Sequence, residues 1–287
     1  MIPASFDYHQ PESLAAAVQL LGNLGEEARA VAGGHSLIPM MKLRMAVPEH
    51  LVDLRSIAEL KGICIEGRTV SIGAMTTQAE LIASDALAQV CPILRETALQ
   101  IADPQIRNLG TLGGNVANGD PGNDMPASMQ VLDAQFEVAG PEGKRKIAAR
   151  DFYEAAFFTA RDEAEILTAI HFEAPPASHG YAYEKQKRKI GDYATAAAAV
   201  ILVMEGGCCS QASIGLTNLS DTPLYAQAAS EALVGSSLDP AAIDAAVAAA
   251  EAIADPVTDG RGPGHFRRKL AGVMLRRAIA SAQSRTA

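Results

Sequence analysis

The sequence predicts an α+β protein of two lobes, with mixed sheets and flanking helices. Three observations carry this expectation. Short apolar runs of strand length alternate with helix-like stretches up to about residue 175. The segment Pro175-Pro176-Ala177-Ser178-His179-Gly180 is the strongest break in the chain. Beyond it, strand-like runs give way to an alanine-rich helical tail from about Tyr225.

Taken in order, residues 11–24 read as a helix, with Ser13 as its N-cap, apolar residues at three- and four-residue spacing, and Gly25 just past its end. A strand over 28–32 runs into Gly33-Gly34, and a helix opens after Ser36 with Leu37, Met40 and Met41 turned inward. Residues 51–54 form a second strand, and residues 63–74 a hairpin turning at Glu66-Gly67-Arg68. Helices follow over 77–84 and from Pro92 to about Ile101. Residues 103–126 are so rich in Gly, Asn, Asp and Pro that neither helix nor strand is expected. The apolar residues interleaved through them imply an ordered, packed loop. Strands are expected over 134–138, 165–172, 181–186, 196–204 and 212–216, with a turn at Pro141-Glu142-Gly143.

With 287 residues, 48% of them apolar, there is material for two domains and a large core. A net charge of −9 disfavours nucleic acid as the main partner. The N-terminus lacks a basic lead and an apolar core segment, so no signal peptide is expected, and no run reaches the ~20 apolar residues of a membrane span. Cytoplasmic residence is the expectation. Cys64, Cys91, Cys208 and Cys209 show neither C-x-x-C spacing nor histidines at metal-ligand spacing, so no metal or iron–sulfur site is expected in this chain.

The chemistry concentrates in two glycine-rich loops. Gly33-Gly34-His35-Ser36 follows a strand and precedes a helix, where consecutive glycines expose N–H groups without a Cβ in the way. Thr111-Leu112-Gly113-Gly114-Asn115 supplies a hydroxyl, two glycines and an amide in one short stretch. Neither loop has the G-x-G-x-x-G or G-x-x-x-x-G-K-[ST] spacing, which sets aside the common nicotinamide and ATP architectures. Together they suit a diphosphate bound between two subdomains. Asp120 and Asp124 lie just downstream, either as loop caps or as acceptors for ribose-type hydroxyls.

The run Ala32-Gly33-Gly34-His35-Ser36-Leu37-Ile38-Pro39, with the second loop and Asp120-Pro121-Gly122-Asn123-Asp124, resembles the FAD-binding subunit of the molybdenum hydroxylases. That family includes xanthine dehydrogenase and aldehyde oxidase. The resemblance extends from Phe6-Asp7-Tyr8-His9 to the last helix. Residues 101–107, 181–185, 187–196 and Asp259-Gly260-Arg261-Gly262 are similar to the carbon monoxide dehydrogenase medium-subunit branch.

The resemblance implies a two-part, PCMH-type FAD-binding region over 1–177 (parts at about 1–55 and 56–177) and a smaller α/β flavoprotein domain over 178–287. It implies non-covalent FAD. Ala32, Gly33, Gly34, His35, Ser36 and Leu37 would line the pyrophosphate and ribityl chain, together with Thr111, Gly113, Gly114 and Asn115. His35 would hydrogen-bond or pack rather than attach the flavin. Asp124 would bind ribityl hydroxyls, Ile101 or Ala102 would pack on the flavin, Leu167 would lie near the adenine or its ribose, and Lys185 would approach from the second domain. Tyr193 is either a flavin cover or a core tyrosine.

The resemblance further implies a large subunit carrying the molybdenum cofactor and a small subunit carrying [2Fe-2S] clusters, joined with this chain in a dimer of heterotrimers. The complex could then sit at the inner face of the cell membrane. This chain would take electrons from the clusters and pass them through FAD to an acceptor such as a quinone, with no catalytic side chain of its own. Two rivals stand beside it: a stand-alone flavin reductase of the same fold, and a flavin-free scaffold subunit. The basic residues Arg267, Arg268, Lys269, Arg276 and Arg277 of the last helix read as a solvated face or a docking surface.

Overall fold

A computed structural model describes residues 1–286. The first sheet has three strands in the order Asp7–His9, His50–Asp53, Ala28–Val31, all parallel. The helix Leu14–Leu24 covers one face; its Ser13 cap accepts a hydrogen bond from the Ala16 N–H, and Leu14, Ala17, Val18 and Leu21 pack on Val52, Leu54 and Ile57. On the other side the short helix Leu37–Lys42 buries Met41 against Val31 and Leu51, while Leu37 and Met40 are only half-buried.

The second sheet is antiparallel throughout, in the order Ile63–Glu66, Thr69–Gly73, Ile166–Glu173, Gln135–Gly140, Gly143–Ala148. A third antiparallel sheet follows the 175–180 break: Gly180–Gln186, Ala196–Glu205, Cys208–Thr217, Leu224–Tyr225. Parallel and antiparallel pairing thus coexist in the molecule but occupy separate sheets.

The strand Ala196–Glu205 shows why a continuous apolar run was needed. Side chains alternate across a strand. Ala197, Ala199 and Ile201 therefore enter the core shared with the second sheet, while Ala196, Ala198, Val200 and Leu202 enter the core under the C-terminal helices. Both faces are buried, so no polar alternation is possible. Those helices are Gln227–Leu233, Pro240–Ile253 and Gly264–Gln283. Among the described residues no helix is long and apolar enough to cross a membrane.

Two expectations are overturned. The segment 103–126, expected to be loop, contains the helices Pro104–Leu109 and Leu112–Ala117 and leads into a third, Met125–Val131. Asp103 caps the first and Thr111 the second through their side-chain oxygens. Gly113 sits inside a helix because a Cβ there would collide with Ala74; glycine here permits close packing rather than a turn. Arg267, expected in a solvated face, is 1% exposed. Its guanidinium donates to the carbonyls of Thr195, Val257 and Asn218, which replaces the water it has lost.

The helix Met125–Val131 is buried along its whole length and lies against the strand Cys208–Thr217, where Gly215 leaves room for the Ala127 carbonyl. The first loop is likewise fixed by a close crossing: a Cβ on Gly33 would fall on the Leu109 carbonyl and stand 2.8 Å from the Gly110 Cα. Backbone cannot rotate away as a side chain can. Gly33→Ala is therefore expected to lower stability by about 2–3 kcal/mol, read as a shifted urea midpoint; an unchanged midpoint would remove this crossing from the account.

Candidate functional site

The strand Ala28–Val31 ends at the C-terminal edge of the parallel sheet and delivers Gly33 and Gly34 to the mouth of a cleft of about 680 Å³. Every site residue expected from the sequence lines this one cleft: Ala32 to Leu37 in the first loop, Thr111, Gly113, Gly114 and Asn115 in the second, and Ile101, Ala102, Asp124, Leu167, Lys185 and Tyr193 around them.

The two loops have different electrical character. Gly34 has φ +75°, which turns the chain so that the N–H groups of Gly33, Gly34, His35, Ser36 and Leu37 all lack an acceptor among the described residues. The Ser36 hydroxyl makes no capping bond either. A row of unused N–H groups beside a hydroxyl, leading into a helix, is a cradle for anionic oxygens. His35 is exposed at its rim.

In the second loop the N–H groups from Leu112 to Asn115 are already used. Leu112 donates to the Thr76 carbonyl and Gly113 to the Ala74 carbonyl, both at 2.8 Å. Gly114 donates to Thr111 Oγ1 at 3.0 Å, and Asn115 to the Thr111 carbonyl. This loop therefore supplies shape, not backbone donors. A Cβ on Gly114 would stand 2.8 Å from Thr111 Oγ1 and 3.6 Å from the Ala32 Cβ, so the two loops touch across the missing side chain. Asn115 Oδ1 accepts from the Met125 N–H at 3.2 Å, leaving its amide nitrogen free.

At the cleft floor Asp124 is almost wholly buried. Its Oδ2 lies 2.8 Å from Lys185 Nζ, which also donates to the Gln100 carbonyl, and its Oδ1 accepts from the Tyr183 hydroxyl at 2.6 Å. Burial pushes the Asp124 carboxyl above the usual range, and the Lys185 ammonium pulls it part of the way back. Burial and the Asp124 charge also drive the Tyr183 phenol far up. Asp120, by contrast, does not line the cleft; it closes a turn by accepting from the Gly122 N–H at 2.8 Å.

One wall is apolar and shaped by backbone. Ala102 has φ +42°, an uncommon conformation for a residue with a Cβ, and follows the buried Ile101. Gly191 packs against Ala102, and Tyr193 completes this wall. At 41% exposure Tyr193 is not a core residue. Burial and the charges of Asp120 and Asp124 push its phenol up to about 12, so it is protonated at neutral pH.

Nothing in the sequence marked four further residues that line the cleft, Arg29, Arg161, Phe157 and Phe158, with both phenylalanines more than half exposed. Only the adjacent aromatics before Thr159 could have hinted at this. Tyr183 was missed too, because a tyrosine's burial beside a charge leaves no local pattern.

Residues 4–175 match the family described as the FAD binding domain in molybdopterin dehydrogenase, and residues 181–282 match the CO dehydrogenase flavoprotein C-terminal domain. The carbon monoxide dehydrogenase medium chain of Afipia carboxidovorans is 65% identical over 285 residues, covering 99% of each chain. The carbon monoxide dehydrogenase medium chain of Hydrogenophaga pseudoflava is 46% identical over 287 residues, with all of both chains covered. Among solved structures, a chain of the cyanide-inactivated Cu,Mo-CO dehydrogenase superposes with a TM-score of 0.98 at 65% identity, covering 99% of this chain and 100% of that one.

The Asp124–Lys185 pair yields a direct test. Removing one partner strands the other's charge in an apolar site, at a cost of about 3–5 kcal/mol. Asp124→Asn and Lys185→Met should each lower the unfolding free energy on that scale, and the double variant should recover most of the loss. Additive losses in chemical denaturation would mean that the two groups do not depend on each other.

Proposed function

The chain belongs to the FAD-binding family of the molybdopterin dehydrogenases, and from that premise we propose that it is the flavin-carrying medium subunit of a molybdenum hydroxylase of carbon monoxide dehydrogenase type. The observation that carries the reading is the row of unpartnered N–H groups at residues 33–37, facing a cleft whose far wall is apolar. A dinucleotide with a charged middle and two flat ends needs that distribution of chemistry. The first loop and Ser36 would hold the pyrophosphate. The amide nitrogen of Asn115 and the remaining lone pairs of Asp124 would serve the ribityl hydroxyls. Ile101, Ala102 and Tyr193 would flank the isoalloxazine, and Leu167 would lie by the adenine end.

When bound, FAD accepts electrons from one partner and donates them to another; the side chains supply position, charge and shielding. Lys185 and Asp124 neutralise each other at the cleft floor, so the pair fixes position without adding net charge. The binding is non-covalent in this reading, since His35 lies at the exposed rim. The partners are a large subunit carrying the molybdenum cofactor and a small subunit carrying [2Fe-2S] clusters, assembled as a dimer of heterotrimers. The electron source is the small subunit, the acceptor is an external one such as a quinone, and the complex is cytoplasmic, at the inner face of the membrane. Carbon monoxide as the substrate of the complex is supported by the 65% and 46% identical medium chains. A division into domains at 1–177 and 178–287 is supported by family matches that end at 175 and resume at 181.

The purified chain mixed with FAD should show a bound-flavin spectrum, and co-expression should recover it with the two larger and smaller partners. A chain that takes up no FAD would end the proposal. Gly114→Val should weaken FAD binding roughly 100-fold, since a branched side chain wedges the two loops apart. A folded variant with unchanged affinity, measured by flavin fluorescence titration, would remove the second loop from the site.

A further inference from the structure

Tyr193 reaches the cleft from a segment tied to a turn at residues 259–262 through the Asp192 side chain before it and the Thr195 carbonyl after it. That turn lines no part of the cleft. It closes on itself through mutual backbone bonds between Asp259 and Gly262, and Asp259 Oδ1 accepts from the Arg261 N–H at 2.7 Å. On the chain side preceding Tyr193, Asp192 accepts from Arg188 Nε at 2.7 Å, and Arg188 Nη1 donates to the Gly260 carbonyl at 3.2 Å. On the following side, the Ala194 carbonyl accepts from the Asn218 side chain, and the Thr195 carbonyl from Arg267 Nε. Arg267 also lies 3.5 Å from Asp259 Oδ2. The Asn218 N–H donates to the Pro121 carbonyl, which ties the same frame to the stretch ahead of Asp124.

The Tyr193 ring is held as well as its backbone. A Cβ on Gly122 would stand 2.9 Å from Tyr193 Cδ1, so the ring rests on bare backbone on one side. The Arg261 guanidinium carbon stands 5.8 Å from the ring centroid, within reach of a cation–π contact. Arg261 Nη1 is tethered at 3.0 Å to Asp259 Oδ2, while its Nε is buried without a partner. Arg261 therefore gives up a hydrogen bond to hold this orientation. Lysine could not replace it, because only a guanidinium can hold the carboxylate and face the ring with one rigid plane.

We propose that Arg261, oriented by Asp259 and the buried Arg267, is a positioning residue for Tyr193, and that the 259–262 turn thereby fixes the aromatic wall of the flavin site. The inference rests on the FAD reading above, but its physical core, the contact between Arg261 and Tyr193, does not need the flavin.

A double-mutant cycle on FAD affinity tests it, with fluorescence titration of the full chain and the variants Arg261→Gln, Tyr193→Ala and both together. Arg261→Gln should weaken FAD binding roughly 3- to 10-fold when Tyr193 is present, and less than about 2-fold when it is absent. Equal losses in the two backgrounds, or no loss with Tyr193 present, would overturn the proposal. If Arg261→Gln fails to fold, Arg261→Lys replaces it in the cycle, with the same expected dependence on Tyr193. In the FAD-free chain, ring-labelled tyrosine spectra should show the Tyr193 signal moving in the Arg261 variant while most of the other tyrosines, of 6 in all, stay put. An unmoved Tyr193 signal would overturn the contact itself. A chain that binds no FAD yet shows the moved signal would strike the FAD reading and leave the Arg261–Tyr193 contact standing.

Discussion

Asp124 and Lys185 meet in a place where neither charge can be hydrated, and that constraint organises the region around the cleft. A buried carboxylate without its ammonium, or the reverse, would cost several kcal/mol, so the two segments that carry them must come together. Asp124 stands at the start of the buried helix Met125–Val131, and Lys185 lies on the first strand of the third sheet. Their pairing closes the second lobe over the first. Lys185 then reaches the Gln100 carbonyl, immediately before Ile101 and Ala102, and Tyr183 links Asp124 to Thr217. One ion pair thereby registers the floor of the cleft, its apolar wall and the sheet behind it. Such a pair adds little net stability compared with an apolar substitute; its consequence here is geometry.

Glycine does two separate jobs in the loops above that floor. Gly34 is used for its backbone conformation, which turns a row of N–H groups toward the cleft. Gly33 and Gly113 are used for the absence of a side chain, which allows the first loop to cross Leu109–Gly110 and the second to lie on Ala74. Gly113 spends its N–H on the Ala74 carbonyl, while Gly33 keeps its own free together with those that follow it. That is why a site with two similar glycine motifs concentrates its free donors in only one of them. An anion placed there meets donors that need no rearrangement.

The wall facing those donors is held from behind. Arg267, Asp259, Arg261, Arg188 and Asn218 surround the segment bearing Tyr193 without lining the cleft themselves. Under the proposed role as an electron relay, this arrangement has a plain rationale. Transfer depends on where a cofactor sits relative to its neighbours, and positions are kept by side chains that cannot move independently.

Strands whose pattern was local were legible in the sequence. The hairpin at 63–73, the doubly buried strand 196–205 and the capped helix after Ser13 follow from periodicity and turn chemistry, which neighbouring residues fully encode. The glycine loops, and through family resemblance the residues that line the cleft, were also visible in the chain alone. What the sequence could not reveal was set by contacts between distant residues. Helices within 103–126 form although their composition argues for loop, because Asp103 and Thr111 cap them and Ala74 rewards a missing Cβ. Arg267 reads as a surface cation until the carbonyls of Thr195, Val257 and Asn218, far away in sequence, take the place of water. Sequence by itself determined which residues have the chemistry to bind an anionic dinucleotide. Only the tertiary structure decided which N–H groups remain free to do so, because a hydrogen bond is spent or spared by whatever the fold brings within 3 Å of it.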